Sequence, residues 1–169
     1  MLHHKLSIEV ESRCISAWKE PWARRPARVT LLVDFADHFA IVMDTSSGFW
    51  FLPGGGVEQN ESVQDTARRE ATEELGLEIK IDRIIRIFHV TLISRETGEH
   101  LKIPPFISVH VTPISGQLKT NYAPKRKIFL IKKDEYGNLL QDLDIPTEYE
   151  CMKPYLYISV ETIREFFKH

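Results

Sequence analysis

The chain lacks what would make it disulfide-stapled, membrane-spanning or disordered. Only two of its 169 residues are cysteine, Cys14 and Cys151. They lie far apart and are too few to suggest a disulfide framework in a chain of this size, so two free, partly buried thiols in a reducing compartment are expected. No apolar run reaches the roughly 18 residues of a bilayer-spanning helix, and no charged-then-apolar leader is legible. The expectation is a cytoplasmic protein without a membrane partner. An excess of one charge is also missing. The 22 basic and 24 acidic side chains leave a net charge of −2, which supports neither a polybasic nucleic-acid surface nor a disordered acidic tail. No repeat, low-complexity tract or linker divides the sequence. What remains is an ordinary globular composition, 43% hydrophobic and 27% charged, at a length suited to one domain over residues 1–169.

Most of the chain reads as strands joined by short turns. Partial alternation at Leu6, Ile8 and Val10 suggests an edge strand between Lys5 and Ile15. Ser16 to Arg28 is broken by Pro21 and Pro26 and reads as a connecting loop. Its Trp22, Arg24, Arg25 and Arg28 are also candidates for a base-stacking, phosphate-facing arm of a pocket. Ala27–Phe35 and His38–Asp44 are β-branched and apolar enough for buried strands, and Phe49–Leu52 is a short third. Glu78–Ser94 is a long β-like run that Asp82 interrupts, followed by a hairpin turn at Arg95–Gly98. In the return strand Leu101–Val111, Pro104 and Pro105 demote the first part to an edge or bulge. Ile114–Ala123 reads as an irregular loop, Lys127–Lys133 as a strand, Asp134–Asn138 as a turn, and Leu139–Ile145 as a weak returning strand. Tyr155–Ser159 reads as a last strand before an amphipathic helix over Val160–Phe167. Strands in hairpin order, with one helix in the middle and one at the end, suit a mixed sheet with helices on its faces.

The informative stretch is Gly55 to Leu77, GGVEQNESVQDTARREATEELGL. Ser62 and Asp65 have the spacing of a capping box. Val63, Ala67, Ala71 and Leu75 recur every fourth residue, so one face of the helix they form meets a core. Gly76 stands where a left-handed stop belongs. Glu70, Glu73 and Glu74, at i, i+3 and i+4, share one edge of that helix. Like charges so placed repel, and half-buried they cost more unless a cation compensates them. Such a cluster suits Mg2+, which takes one or two carboxylates together with substrate phosphates and waters. The bland reading is a solvated acidic face with Arg68 and Arg69 as ion-pair partners.

The stretch resembles the Nudix box, G-x5-E-x7-R-E-U-x-E-E-x-G-U with U aliphatic. Gly55, Glu61, Arg69, Glu70, Glu73, Glu74, Gly76 and Leu77 fill it, and Ala71 takes the first aliphatic place. The resemblance implies an α/β (α+β) fold, an α/β/α sandwich with a mixed central β-sheet and the box as a loop-helix-loop. It implies an enzyme that hydrolyses a phosphoanhydride in a nucleoside diphosphate linked to another group: a nucleoside triphosphate, a sugar nucleotide or a dinucleotide. The cofactor would be Mg2+, with Mn2+ as a substitute. Its ligands would be Glu70, Glu73 and Glu74, with a backbone carbonyl of Gly55. Glu61 would reach the metal or serve catalysis beside Glu70 and Glu73, and Arg69 would fix the carboxylates. The general base would be a box glutamate, or Glu148 or Glu150 ahead of the last strand. The partner is a small nucleotide, with no specific nucleic acid expected, and a homodimer is compatible. The alternatives are a nucleotide-sensing module without turnover and an enzyme acting on RNA 5′ ends.

Overall fold

The computed structural model describes residues 1–141 and 143–168. Its strands form two sheets. The first holds β1 (His3–Val10), β2 (Arg28–Val33), β5 (Gly54–Gly56), β6 (Leu77–Ser94), β7 (His100–Lys102) and β8 (Phe106–Gly116), in the order β1-β6-β8-β2-β5 with β7 also on β6. The second holds β3 (His38–Asp44), β4 (Trp50–Phe51), β9 (Asn121–Ala123) and β10 (Arg126–Lys132), in the order β4-β3-β10-β9. The first sheet is mixed: β1 runs parallel to β6, β2 parallel to β8, and the other pairs are antiparallel.

Four α-helices join the described strands: α1 (Ser12–Ala17), α2 (Val63–Glu70), α3 (Tyr136–Leu139) and α4 (Lys153–Phe167). α2 continues as a π-helical segment over Ala71–Leu75. Strand β2 is apolar on both faces because both are covered. Val29, Leu31 and Val33 meet Ala67, Ala71 and Leu75 of the α2 unit, while Leu32 meets Leu156, Val160 and Ile163 of α4. The first sheet therefore lies between two helices, the expected sandwich. The second sheet closes on α4 through Phe39, Ile41, Trp50 and Phe51. Trp50 is core, 4% exposed.

Several expectations hold with shifted ends. Asp82 falls at a register shift between Ile81 and Arg83, and the Pro104-Pro105 pair separates β7 from β8 because proline donates no ladder hydrogen bond. The stretch read as a loop from Ile114 contains the end of β8 and all of β9. The expected strand at Tyr155–Ser159 is wrong: it is the first half of α4. Leu156, Val160, Ile163 and Phe167 repeat every three to four residues, Pro154 sits in the first turn, where its missing N–H costs nothing, and the two tyrosines with Ile158 misled the strand reading. Leu139–Ile145 forms no strand among its described residues; residue 142 lies outside them. Leu140, Leu143 and Ile145 instead pack on the α4 core. No helix among the described residues is long and apolar enough to cross a membrane.

The free-thiol expectation is also wrong. Cys14 of α1 and Cys151 of the 3-10 turn Thr147–Met152 form a disulfide with Cα atoms 4.9 Å apart. Sequence distance hid the pairing, since α1 and that turn meet only once α4 folds back onto β1 and β6. Trp18 Nε1 donates to the Cys151 carbonyl at 2.9 Å beside the bridge. A reducing compartment is no longer favoured by cysteine usage. Because 137 residues separate the two cysteines, the bond strongly restricts the unfolded chain. Reduction, or the double change Cys14→Ser and Cys151→Ser, is expected to lower the unfolding free energy by about 2–4 kcal/mol, read from urea midpoints. Thiol titration in denaturant without reductant should find no free thiol; two reactive thiols would contradict the pairing.

Candidate active site

The site is built by the loop between β5 and α2 and by the helical unit that follows. The expected capping box is present: the Asp65 amide donates to Ser62 Oγ at 3.0 Å, and the Ser62 amide donates to Asp65 Oδ2 at 3.3 Å. Gly76 ends the unit with φ of 74°, a left-handed value that an L side chain rarely adopts. The π segment was not foreseen. A π turn advances the backbone by an extra residue and is common at functional sites. Here it carries Glu73 and Glu74, so their direction relative to Glu70 departs from that of an α-helix.

Arg69 organises the carboxylates. Its Nε and Nη2 grip both oxygens of Glu61 at 2.8 and 3.0 Å. Nη2 also donates to the Gly56 carbonyl at 3.0 Å. Nη1 donates to Glu70 Oε1 at 2.9 Å and reaches Glu73 Oε2 at 3.5 Å and Glu58 Oε1 at 3.9 Å. Glu61 is saturated, since Thr66 Oγ1 and the Glu58 amide also donate to Oε1. The Arg69 hydrogen bonds, opposed by burial and aided by Thr66 and the Glu58 amide, hold the Glu61 carboxyl down at about 2. The same pairing raises the Arg69 pKa.

Glu70 is in the opposite condition. It is 7% exposed, and burial pushes its pKa up. Arg69 pulls it back, while Glu74 and Glu73 push it further up. Gly55 is shaped around it: a Cβ there would lie 2.0 Å from Glu70 Oε1. Glu73 is more open, its side chain 59% exposed, and Lys119 Nζ donates to its main-chain carbonyl at 2.6 Å. One guanidinium thus touches four carboxylates, those of Glu58, Glu61, Glu70 and Glu73. The surplus negative charge, on hard oxygen donors, matches a divalent cation in kind. Among the described residues, no three such groups already converge as a finished ligand set.

A cavity of about 110 Å³ opens beside this cluster at Gly54 and Gly55. Phe51 and Arg126 from the second sheet, Arg28 and Phe106 from the first, and Tyr155 of α4 line it, with Tyr122 of β9. Tyr122 donates to the Gly54 carbonyl at 3.0 Å, which ties the cavity wall to the box loop. Burial raises the Tyr122 pKa, and Glu74 and Glu70 raise it further, keeping the phenol neutral. The Arg28 guanidinium lies 5.0 Å from the Tyr155 ring centre, and its Nε is buried without a hydrogen-bond partner. An unmatched buried donor costs about 1–3 kcal/mol.

Of the four candidates in the arm, Arg28 alone lines the cavity. Trp22 is exposed and packs on Trp18 with ring centres 5.0 Å apart. Arg24 Nε donates to the Lys19 carbonyl, and the Arg25 stem lies over Gly56. Glu150 sits near the disulfide, paired with Arg95 at 2.8 Å and Lys153 at 3.2 Å. Burial pushes its pKa up, but those two hydrogen bonds outweigh it and hold it low. Glu148 is exposed in the same turn. The cavity residues Tyr122, Arg126 and Tyr155 were missed. Tyr122 lies near the end of the stretch read as a loop and Arg126 just ahead of the expected strand, where an aromatic followed by basic residues was the available signal.

Comparison with known proteins gives a family and a fold. The NUDIX domain model matches residues 23–134. Nucleoside triphosphatase NudI of Escherichia fergusonii is 49% identical over 37 residues, 22% of this chain and 26% of that protein. The chain spans less than a third of the length of the curated relatives it matches. A solved UDP-X diphosphatase has a TM-score of 0.57 at 17% identity, covering 94% of this chain and 72% of that one. A NUDIX hydrolase from Nitrosomonas europaea has a TM-score of 0.58 at 15% identity, covering 86% and 90%. These two likenesses are of fold. The family match spans about two thirds of the chain and takes in the whole glutamate-rich loop and helix gathered by Arg69, and so the chain belongs to the Nudix hydrolase family.

Proposed function

We propose that this chain hydrolyses a phosphoanhydride bond in a nucleoside diphosphate linked to another group, with Mg2+ held by Glu70, Glu73 and Glu74. The observation that carries the reading is the adjacency of two unlike features across Gly54 and Gly55. On one side lies an electron-rich carboxylate cluster short of positive charge, and on the other an aromatic, arginine-lined cavity. A nucleotide's ring suits the cavity, which leaves its phosphates over the carboxylates only if cations screen them. Mn2+ is expected to substitute. The names of the relatives, a nucleoside triphosphatase and a UDP-X diphosphatase, are compatible with this substrate class.

Held by Glu70, Glu73 and Glu74, a divalent ion would supply charge neutralisation and a lowered pKa for a bound water. The protein's own groups do the rest. Arg69 holds Glu61 and Glu70 in fixed orientation, so the carboxylates are preorganised. Glu61, clamped at both oxygens and held near 2, stays ionised throughout and positions Arg69. Glu70 Oε2 is not engaged by Arg69 and stays open to the metal. A box glutamate that the metal leaves free would take the proton of the attacking water as the phosphorus–oxygen bond to the leaving group breaks. Glu150, locked between Arg95 and Lys153, is a poor base by comparison.

Replacing Glu73 by Gln is expected to lower kcat by orders of magnitude with the thermal transition preserved, and EDTA should abolish turnover. Near wild-type turnover in either case would remove the metal assignment. Gly55→Ala pushes a methyl into the Glu70 carboxylate and should reduce kcat at least about tenfold, an increase of about 1.4 kcal/mol in the barrier. Glu61 also makes a pH prediction. Its folded pKa is depressed, so its contribution to stability is complete above its ordinary value of 4.5 and is lost as pH falls toward about 2. The urea-midpoint gap between the wild type and Glu61→Gln should therefore be constant near neutrality and narrow as acid is added. A gap independent of pH would show that the Arg69 pairing does not stabilise the fold.

A further inference from the structure

Arg28 is a basic side chain of the cavity that the reaction leaves unexplained. It enters from β2, opposite Phe106 in the β8 register, and lies over the Tyr155 ring. No hydrogen bond or ion pair among the described residues engages its guanidinium, and its Nε is buried and bare. Arg126 differs: it contacts Met152 Sδ at 3.6 Å and lies over the rings of Phe51 and Tyr149. At about 110 Å³, the cavity takes one ring-sized fragment, well short of the roughly 300–1,000 Å³ that encloses a larger ligand. Its walls include the rings of Phe51, Phe106, Tyr122 and Tyr155. They favour a flat π-system over a phosphate, which would be stripped of water among them.

We infer that Arg28 selects 6-oxopurine nucleotides by donating two parallel N–H bonds to the O6 and N7 acceptors of the base. The chemistry of the bases decides this. A guanidinium edge offers donors only. Guanine presents two neighbouring acceptors on one edge, adenine pairs its N7 acceptor with an N6 donor, cytosine presents a donor there, and thymine a single acceptor. Adenine would place N–H against N–H and leave one of the arginine's donors unmatched. This inference names the substrate class of the proposed hydrolase and rests on that reading for its biological meaning, but base preference can be measured without turnover.

Calorimetric binding of GMP, IMP, AMP and 7-deaza-GMP to the full chain tests it. GMP and IMP, which share O6 and N7, should bind at least about tenfold more tightly than AMP, the discrimination expected of one bidentate contact. 7-Deaza-GMP, which lacks the N7 acceptor, should fall toward AMP. Arg28→Lys keeps the charge but loses the fork, and it should shrink the GMP-to-AMP ratio severalfold with the thermal transition retained. Equal affinities for the four nucleotides, or an unchanged ratio in Arg28→Lys, would overturn the inference. A separate turnover panel with Mg2+ distinguishes the two readings. If no nucleoside triphosphate or diphosphate derivative is cleaved, the hydrolase proposal fails while the binding preference stands or falls by itself.

Discussion

A single guanidinium against a surplus of carboxylates is the constraint from which the site follows. Arg69 meets Glu61 in a two-point grip, Glu70 at 2.9 Å and the Gly56 carbonyl at 3.0 Å. Placing these charges half out of water costs several kcal/mol per ion unless the geometry is good, and one positive charge does not balance the glutamates around it. Arg69 resolves this unevenly. Glu61 receives a two-point grip from it and becomes a fixed anion, while Glu70 is left buried and undercompensated. The two glutamates therefore shift in opposite directions, one matched by Arg69 and the other left short of positive charge.

The fold brings that cluster to the edge of a binding cavity. β5 pairs with the first half of β2, so the box loop is anchored as a sheet edge, and Gly55 lets Glu70 press against the backbone. The same strand pair sets Arg28 on the face opposite Val29. Cavity and carboxylates therefore share a wall, and a substrate spanning both is held by rigid elements on each side. The second sheet contributes Phe51 and Arg126, and α4 contributes Tyr155. The disulfide joins α1 to the turn preceding α4, one residue before the cavity-lining Met152. It thereby fixes the start of the helix that carries Tyr155.

Much of the fold was legible in particular residues. Continuous β-branched, apolar runs located β2 and β3, and Gly98 and Asp82 marked a turn and an interruption. The repeat of Val63, Ala67, Ala71 and Leu75 gave the buried face of α2. Tyr155–Ser159 failed because a short run of aromatic and β-branched residues fits a strand or a buried helix equally well. The register that separates the two lies further on, at Ile163 and Phe167.

The sequence by itself determined the chemistry of the box: which residues carry charge, that the glutamates share a helix edge, and where the helix begins and stops. These are local properties, set by spacing along one helix and by its caps. The tertiary structure alone decided what surrounds them. It chose Arg28 over Trp22, Arg24 and Arg25 as the cavity residue, brought Arg126 and Tyr155 in from distant elements, locked Glu150 between two cations and joined Cys14 to Cys151. The reason is that burial and proximity across many tens of residues depend on how sheets and helices close on one another, which no local pattern records.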